Sequence, residues 1–547
     1  MKGHVVNLFS RGALAALLFV VSACATGSAL NAGGGGPVLR TRAERSGYLE
    51  TSHYADVVAF LDSLKGRPEL SFGSIGKTSE GRDIPYVVAS RPRVSTPDEA
   101  YRLGRPVVYV QGNIHAGEVE GKEALMALLR DLTSSGGPNA LDSIVLIAVP
   151  IYNADGNERF TPQEAIRGSQ NGPEMVGQRA NAQNLDLNRD YMKAETPETR
   201  ASLAMFNKWD PDVFVDLHTT DGSYHGYALT YAPTLNPAAP LGVFTRDSIM
   251  PVLRQRMQAR HGFATFDYGD FISDDTLSKG WVTFDSRPRY ATNYYGLRGR
   301  IAILSEAFSH DPFERRVKST YAFVQEILSL VAQKSGKLKN LSAAVAGKVH
   351  QDIPIRAEII AAPDAIGVVA EIIERTGDST RTQAGVPKGR RRTGRFVTVK
   401  MPVFDRFKPT FTVSAPDRYV IAASDTQVVR VLRDHGITVS PFTESLGGNT
   451  EAVGNGYVFT IDSTIVSPRP FQGHREMRLT GKWRRETRPI PVGSFIVDVS
   501  QPLGQLAVYL LEPQSDDGLV AWNYFDSQLR PGAIYPVFRI GGLPPAQ

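Results

Sequence analysis

The chain has 547 residues, 42% of them hydrophobic and 21% charged, with a formal net charge of +5, ten histidines and one cysteine. So mild a charge over such a length leaves no electrostatic footprint for nucleic acid, and one cysteine excludes a disulfide framework. The length implies more than one domain.

At the start, Lys2 and Arg11 flank an apolar run from Gly12 to Val21 that is too short to span a bilayer and reads as a secretory signal. It ends in Val21-Ser22-Ala23-Cys24, which resembles a bacterial lipobox, where the cysteine is lipidated and becomes the mature N-terminus. Ala25 after the cysteine, in place of an aspartate, resembles the outer-membrane-sorted class of Gram-negative bacteria, and the glycine-rich stretch from Gly27 to Pro37 makes a flexible tether. The competing reading is ordinary signal cleavage after Ala25, because Ala23-Cys24-Ala25 fits the small-x-small rule. The expectation is a signal over 1–24, a tether over 25–44, and an exported lipoprotein of the cell envelope held to the membrane through Cys24. A core of this size needs no disulfide to survive export.

From about residue 45 to 335, strand-like runs at 84–89, 107–111, 144–150, 213–217 and 301–304 alternate with helical patterns at 54–64, 122–132, 197–209 and 315–332. Such alternation predicts an α/β sheet with helices on both faces, and ligands collected at the carboxyl ends of the strands. Within it, Gly73 to Ser79 resembles a phosphate loop, but the required first glycine falls at Ser71 and an extended run follows in place of a helix, which argues against nucleotide binding.

His115 and Glu118 follow the strand-like run at 107–111, and His218 follows another at 212–217. Catalytic zinc takes three protein ligands from imidazole and carboxylate and leaves a position for water; a short-spaced pair with a distant third ligand is such a set. Each histidine alone reads as an ordinary strand-end residue, yet no other histidine is followed by glutamate at this spacing. Glu306 ends the apolar approach Ile301-Ala302-Ile303-Leu304 and suits a general base, since a metal lowers the pKa of its water from about 15.7 to roughly 7. Between them, Asp186-Leu187-Asn188-Arg189 offers a guanidinium fork and an amide for a substrate carboxylate. His225 reads as a loop residue close enough to His218 to line a cleft.

The order His115-x-x-Glu118, Asp186-x-Asn188-Arg189, His218, Glu306, preceded by Ser74 to Ser90, resembles the zinc carboxypeptidase family of carboxypeptidase A over roughly Tyr48 to Val331. The resemblance implies a mixed sheet flanked by helices and one zinc per chain on His115, Glu118 and His218. It implies Glu306 as base, and Asn188 with Arg189 gripping the free C-terminal carboxylate of a peptide. Asp186 corresponds to the acid that orients the first ligand histidine and fixes its tautomer. An arginine polarises the scissile carbonyl, with Arg179 the better match and Arg167 the other. A tyrosine closes over the substrate; Tyr294 and Tyr295 are the candidates, Tyr290 lies a little earlier, and Tyr295 is the expected one. Digestive members carry an arginine beside the ligand glutamate where this chain has Gly117, so one substrate-side charge is missing.

Beyond a polar linker near 333–342 the chain changes character. Strand-like patches at 395–403, 456–461, 494–499 and 505–511 surround one helical pattern at 426–435, giving a second, β-rich α/β region over about 343–547 without a catalytic constellation. The basic run Lys388 to Arg395 lacks interleaved aromatics and reads as a solvated loop. The expected enzyme is a zinc metallocarboxypeptidase hydrolysing peptides, catalytic over 45–335 and with an accessory region over 343–547. Its rivals are a peptidoglycan stem-peptide carboxypeptidase or acyl-amino-acid deacylase on the same scaffold, and a lipoprotein binding module with a vestigial metal site.

Overall fold

The computed structural model describes residues 38–544 apart from 135, 274–275, 378–385, 387–388 and 444–450. The expected signal, Cys24 and most of the tether lie outside the described residues.

Eight strands build the main sheet: β1 Leu70–Lys77, β2 Asp83–Ala89, β3 Val107–Gly112, β4 Val145–Val149, β5 Val213–Thr219, β6 Leu229–Pro233, β7 Thr265–Asp267 and β8 Ile301–Ala307. Their spatial order is β1-β2-β4-β3-β5-β8-β6-β7. The central run β4-β3-β5-β8 is parallel, and antiparallel partners flank it on both sides. Every residue of β3, β4, β5 and β8 is buried, as a sheet covered on both faces requires, which is why these strands read in sequence as apolar runs. Gly73 to Lys77 lies in β1, so the phosphate-loop look-alike is an edge strand.

Helices α1 Tyr54–Ser63, α2 Glu120–Leu132, α3 Pro197–Trp209, α4 Met250–His261, α5 Ala291–Leu297 and α6 Phe313–Gln333 surround the sheet. On one face Tyr295 stacks on Phe206 of α3 at 3.9 Å and on Phe214 of β5 at 4.2 Å. On the other, α2 presses against the sheet through glycine: a Cβ on Gly121 would come 2.8 Å from the Leu217 Cβ, so only glycine permits that approach.

The segment 333–342, expected as a linker, is helical: α7 Ser335–Val345 follows α6 almost without a break. Beyond it come strands β9 Asp352–Ala361, β10 Ile366–Arg375, β11 Arg390–Met401, β12 Val403–Ser414, β13 Arg418–Ile421, β14 Glu451–Val466, β15 Met477–Pro491, β16 Phe495–Asp498 and β17 Val537–Ile540. Helices α8 Thr426–Asp434 and α9 Gly504–Leu511 accompany them. The run 505–511, expected as a strand, is α9, with every residue buried; a short apolar run enclosed on all sides has no periodicity to tell helix from strand. The basic run expected as a solvated loop lies, from Arg390 onward, within β11, where Arg392 pairs with the buried Glu371 at 2.7 Å.

Residues 40–547 form one compact unit. One hydrophobic core contains Tyr109, Phe206 and Tyr295 from the first region together with Leu432, Tyr509 and Trp522 from the second. The second region also extends the first by a strand pairing of Trp281 and Val282 with Val403 and Phe404 of β12.

Candidate metal centre

His115 and Glu118 are delivered by a turn. After β3, Asn113 adopts the left-handed conformation at φ 64, one of the few side chains that tolerates it, and the Glu118 N–H donates to His115 O at 3.0 Å. The chain thereby doubles back and aims both side chains at the end of the sheet. His218 is the second-last residue of β5, and its register partner in β8 is Glu306. Neighbours in register on parallel strands point to the same face, so strand pairing alone sets His218 and Glu306 side by side.

His115, Glu118 and His218 form a buried cluster whose ligand atoms all lie within 4.8 Å of one another. His218 Nδ1 is 3.2 Å from His115 Nδ1 and 2.9 Å from Glu118 Oε2, and His115 Nδ1 is 3.1 Å from Glu118 Oε1. The outward nitrogens carry the confirming detail. His115 Nε2 lies 2.9 Å from Asp186 Oδ1, and His218 Nε2 lies 2.9 Å from Asp216 Oδ2. The Asp186 carboxylate on His115 Nε2 favours the tautomer that leaves His115 Nδ1 bare toward the cluster, the arrangement metal-ligating histidines use, while His218 Nε2 is approached by both Asp216 and the Asn188 amide, the latter at 3.4 Å. The donor set therefore fits zinc.

Asp216 escapes the sequence reading although a signal exists. It sits two residues before His218, hence on the same strand face, as an acid within an apolar run; it is fully buried and also accepts from Gln111 Nε2 at 3.1 Å.

The electrostatics separate the carboxylates. Burial pushes Glu118 upward, but His115 and Arg167 outweigh it and hold the carboxyl well below the usual range. Asp186 is likewise held low against its burial by His115, Arg179 and Arg189. Glu306 goes the other way: burial, reinforced by Glu118 and Asp221 and opposed by His218, pushes it well above the usual carboxylate range. One carboxylate is kept ionised beside the histidines and its neighbour is poised to take up a proton, a division that suits ligand and base respectively.

The two candidate arginines take different places. Arg167 NH1 donates to Glu118 Oε1 at 3.0 Å and its NH2 to the carbonyls of Thr219 and Thr220, both at 3.1 Å, so its guanidinium clamps the ligand glutamate. Its side chain passes where a residue-117 side chain would lie: a Cβ on Gly117 would come 3.0 Å from Arg167 Cδ. Gly117 thus makes room for a charge that arrives from residue 167. Arg179 donates from Nε to Asp186 Oδ2 at 2.9 Å, remains 41% exposed, and faces the cavity.

That cavity, about 230 Å³, is lined by the three cluster residues, Glu306, Arg179, Asn188 and Arg189. Asn188 Oδ1 accepts from the Ala291 N–H at 2.8 Å, and Arg189 lies over the Tyr290 ring at 4.1 Å. Thr219, Asp221, Tyr268, Phe284, Tyr290, Thr292 and Leu304 complete its walls. The expected Tyr295 is not among them. It is fully buried in the core, with its hydroxyl 2.9 Å from Ser202 Oγ, and Tyr294 is equally buried with its hydroxyl on His435. Both lie on α5, buried along its whole length, with Tyr295 against the sheet and Tyr294 against Tyr191 and His435, whereas Tyr290, just before the helix, and Tyr268 face the cavity. Burial raises the Tyr268 hydroxyl well above its ordinary pKa, with Glu306 adding to the effect. His225 is buried against Phe308 at 4.3 Å and depressed by burial to about 3, away from the cluster.

Residues 57–244 match the family model described as zinc carboxypeptidase. Carboxypeptidase 2 of Trichophyton rubrum is 23% identical over 481 residues, covering 85% of this chain and 81% of the relative. Human carboxypeptidase Z is 36% identical over 124 residues, 22% of this chain and 18% of the relative. Among solved structures, a metallo-carboxypeptidase from Burkholderia cenocepacia has a TM-score of 0.38 at 18% identity, over 52% of this chain and 70% of the other. The family match takes in His115, Glu118, Asp186, Asn188, Arg189 and His218; Glu306 lies beyond it and is joined to it by the β5–β8 register.

Proposed function

We propose that this chain, which carries a zinc carboxypeptidase domain at residues 57–244, removes single residues from the free C-terminus of peptides, using one zinc per chain. The observation that carries the reading is that Arg189 and Asn188 line the same cavity as the His115–Glu118–His218 cluster and Glu306, with Arg179 reaching both Asp186 and Glu118. A guanidinium beside an amide is a carboxylate receptor. Set within one cavity of the cluster, it selects the bond nearest the chain end.

His115, Glu118 and His218 would hold the metal. When bound, zinc supplies a Lewis acid that makes water acidic at neutral pH and withdraws electrons from a carbonyl oxygen. Glu306 takes the proton from the attacking water and returns it to the departing amine, the two roles of one group with a raised pKa. Arg179, facing the cavity, donates to the carbonyl oxygen as negative charge develops there. Arg189 and Asn188 hold the terminal carboxylate, and Tyr290 backs the guanidinium. Tyr268, Phe284, Thr292 and Leu304, with Asp221 beside them, supply a mixed surface with one carboxylate for the terminal side chain.

Digestion of a defined peptide followed by mass spectrometry tests this. Sequential loss of single residues from the C-terminus is expected, and N-terminal acetylation should change nothing; internal fragments would replace the reading with an endopeptidase. The reading includes a lipid anchor at Cys24 on the strength of Val21-Ser22-Ala23-Cys24, placing the enzyme at the cell envelope. Cys24→Ser should abolish detergent partitioning, and a correctly processed serine variant that still partitions would remove the anchor.

A further inference from the structure

The wall that carries Asp186, Asn188 and Arg189 is a loop, and the second region of the chain reaches across to hold it. Between β14 and β15 the chain closes a tight turn, with the Phe471 N–H donating to His474 O at 2.7 Å and the His474 N–H to Phe471 O at 3.0 Å. Its two central residues, Gln472 and Gly473, both have positive φ, 50 and 83. Such a turn takes asparagine, aspartate or glycine cheaply; glutamine there is strained, and strain of this kind persists where a side chain has a task. The side chain is put to use: Gln472 Oε1 accepts from the Asp186 N–H at 2.8 Å.

The turn is tied down on both flanks. His474 Nε2 lies 2.8 Å from Glu195, which shares Lys193 with the buried Asp190. Glu476 pairs with Arg289 at 2.6 Å, and that guanidinium also meets Asp517 at 2.7 Å and lies over Trp522 at 4.6 Å. Arg289 immediately precedes Tyr290, on which Arg189 rests. One turn from the second region therefore braces both sides of the Arg189 pocket.

We infer that Gln472 is a positioning residue for the substrate-carboxylate grip, setting the loop from Asp186 to Arg189 at the height from which Arg189 reaches the chain end. The inference rests on the proposed role of Arg189. Gln472 meets Asp186 only at the Asp186 backbone N–H, while the Asp186 carboxylate makes the contact to His115, so the effect should fall on substrate capture, and zinc content shows whether His115 is disturbed. Losing one neutral hydrogen bond at a receptor loop is worth roughly a five- to tenfold change in capture.

The test uses full-length, zinc-loaded enzyme with Gln472→Leu, which removes the acceptor at similar size, and Gln472→Gly, which removes it while relieving the turn. For a free-acid peptide both variants should raise KM roughly five- to tenfold. kcat, zinc content and the rate on the amidated peptide should stay within about twofold. Melting temperature should hold or rise in the glycine variant, so a loss shared by both variants is not misfolding. KM within twofold of the parent in both variants, in an enzyme that itself prefers free-acid peptides, would overturn the inference. A parent enzyme with no such preference would overturn the reading of Arg189, and the inference with it.

Discussion

The two walls of the cavity are built in opposite ways. The metal-side wall hangs on the sheet: His115 leaves β3, His218 lies in β5, Glu306 lies in β8, and strand register places the last two together. The recognition wall hangs on loops, and its bracing comes from sequence positions far away: Gln472 on Asp186, His474 on Glu195, His435 on Met192 and Tyr524 on Lys193. The lesson is a division of labour. Geometry that must be accurate for bond breaking is set mainly by backbone hydrogen bonding of the most buried strands, while geometry that decides which molecule is held is set by side-chain contacts from the second region, and the two meet at Asp186, which serves His115 as well as the loop.

Breaking the sheet-borne wall should cost most. Glu306→Gln should keep zinc, since Glu306 is not one of the cluster donors, and lose roughly 10² to 10⁴ in kcat, the range of a general base. His115→Ala or His218→Ala should instead release the metal, measured as zinc per chain after dialysis; undiminished zinc in both would move the site elsewhere. Breaking the loop-borne wall should cost less and differently. Arg189→Ala should lower kcat/KM on free-acid peptides by about 2–5 kcal/mol, the usual loss on removing one partner of a buried charged pair, with zinc content unchanged.

Arg167 sharpens the contrast because it comes from a loop yet serves the metal side. With its guanidinium on Glu118 and on two backbone carbonyls, Arg167→Met should weaken zinc about 10- to 100-fold, as loss of a ligand's own partner does. Competition against a chelator measures it, and an unchanged affinity would make Arg167 a substrate residue.

The smallest expected effect concerns the bracing. His435 is buried, its Nδ1 2.7 Å from the Tyr294 hydroxyl and its Nε2 3.1 Å from Met192 O. Burial, with Arg298 adding to it, depresses its pKa to about 3 from 6.5. The unfolded chain therefore takes a proton that the folded chain refuses, so stability is complete above the unfolded pKa and erodes as pH falls below it toward 3. Melting temperature should fall between pH 7 and 5, and His435→Gln should flatten that fall; an identical slope in the variant would remove His435 from the account.

The same division decides what the sequence discloses. Strands β3, β5 and β8 are mostly apolar runs with His or Glu at or just beyond their carboxyl ends, so the cluster and the base are readable from residues 107–118, 213–218 and 301–306. Asp216 is readable in retrospect, as a charge alternating with His218. Tyr295 misleads because a tyrosine pair reads equally well as cavity wall and as core, and only packing on Phe206 and Phe214 decides. Gln472 leaves no local trace of its partner Asp186, since the contact joins residues with nothing but tertiary structure to relate them. Helix α9 is silent for the opposite reason, being apolar apart from Gln505 and buried all round.

The central claim is that Arg189 meets a terminal carboxylate while Glu306 performs chemistry indifferent to it. It is tested most directly by the ratio of kcat/KM for a free-acid peptide to that for its C-terminal amide, in the parent enzyme, Arg189→Ala and Glu306→Gln. The account predicts a large ratio in the parent, a ratio near one in Arg189→Ala, and a parent-like ratio in the residual activity of Glu306→Gln. A parent enzyme that cleaves acid and amide equally well would contradict it.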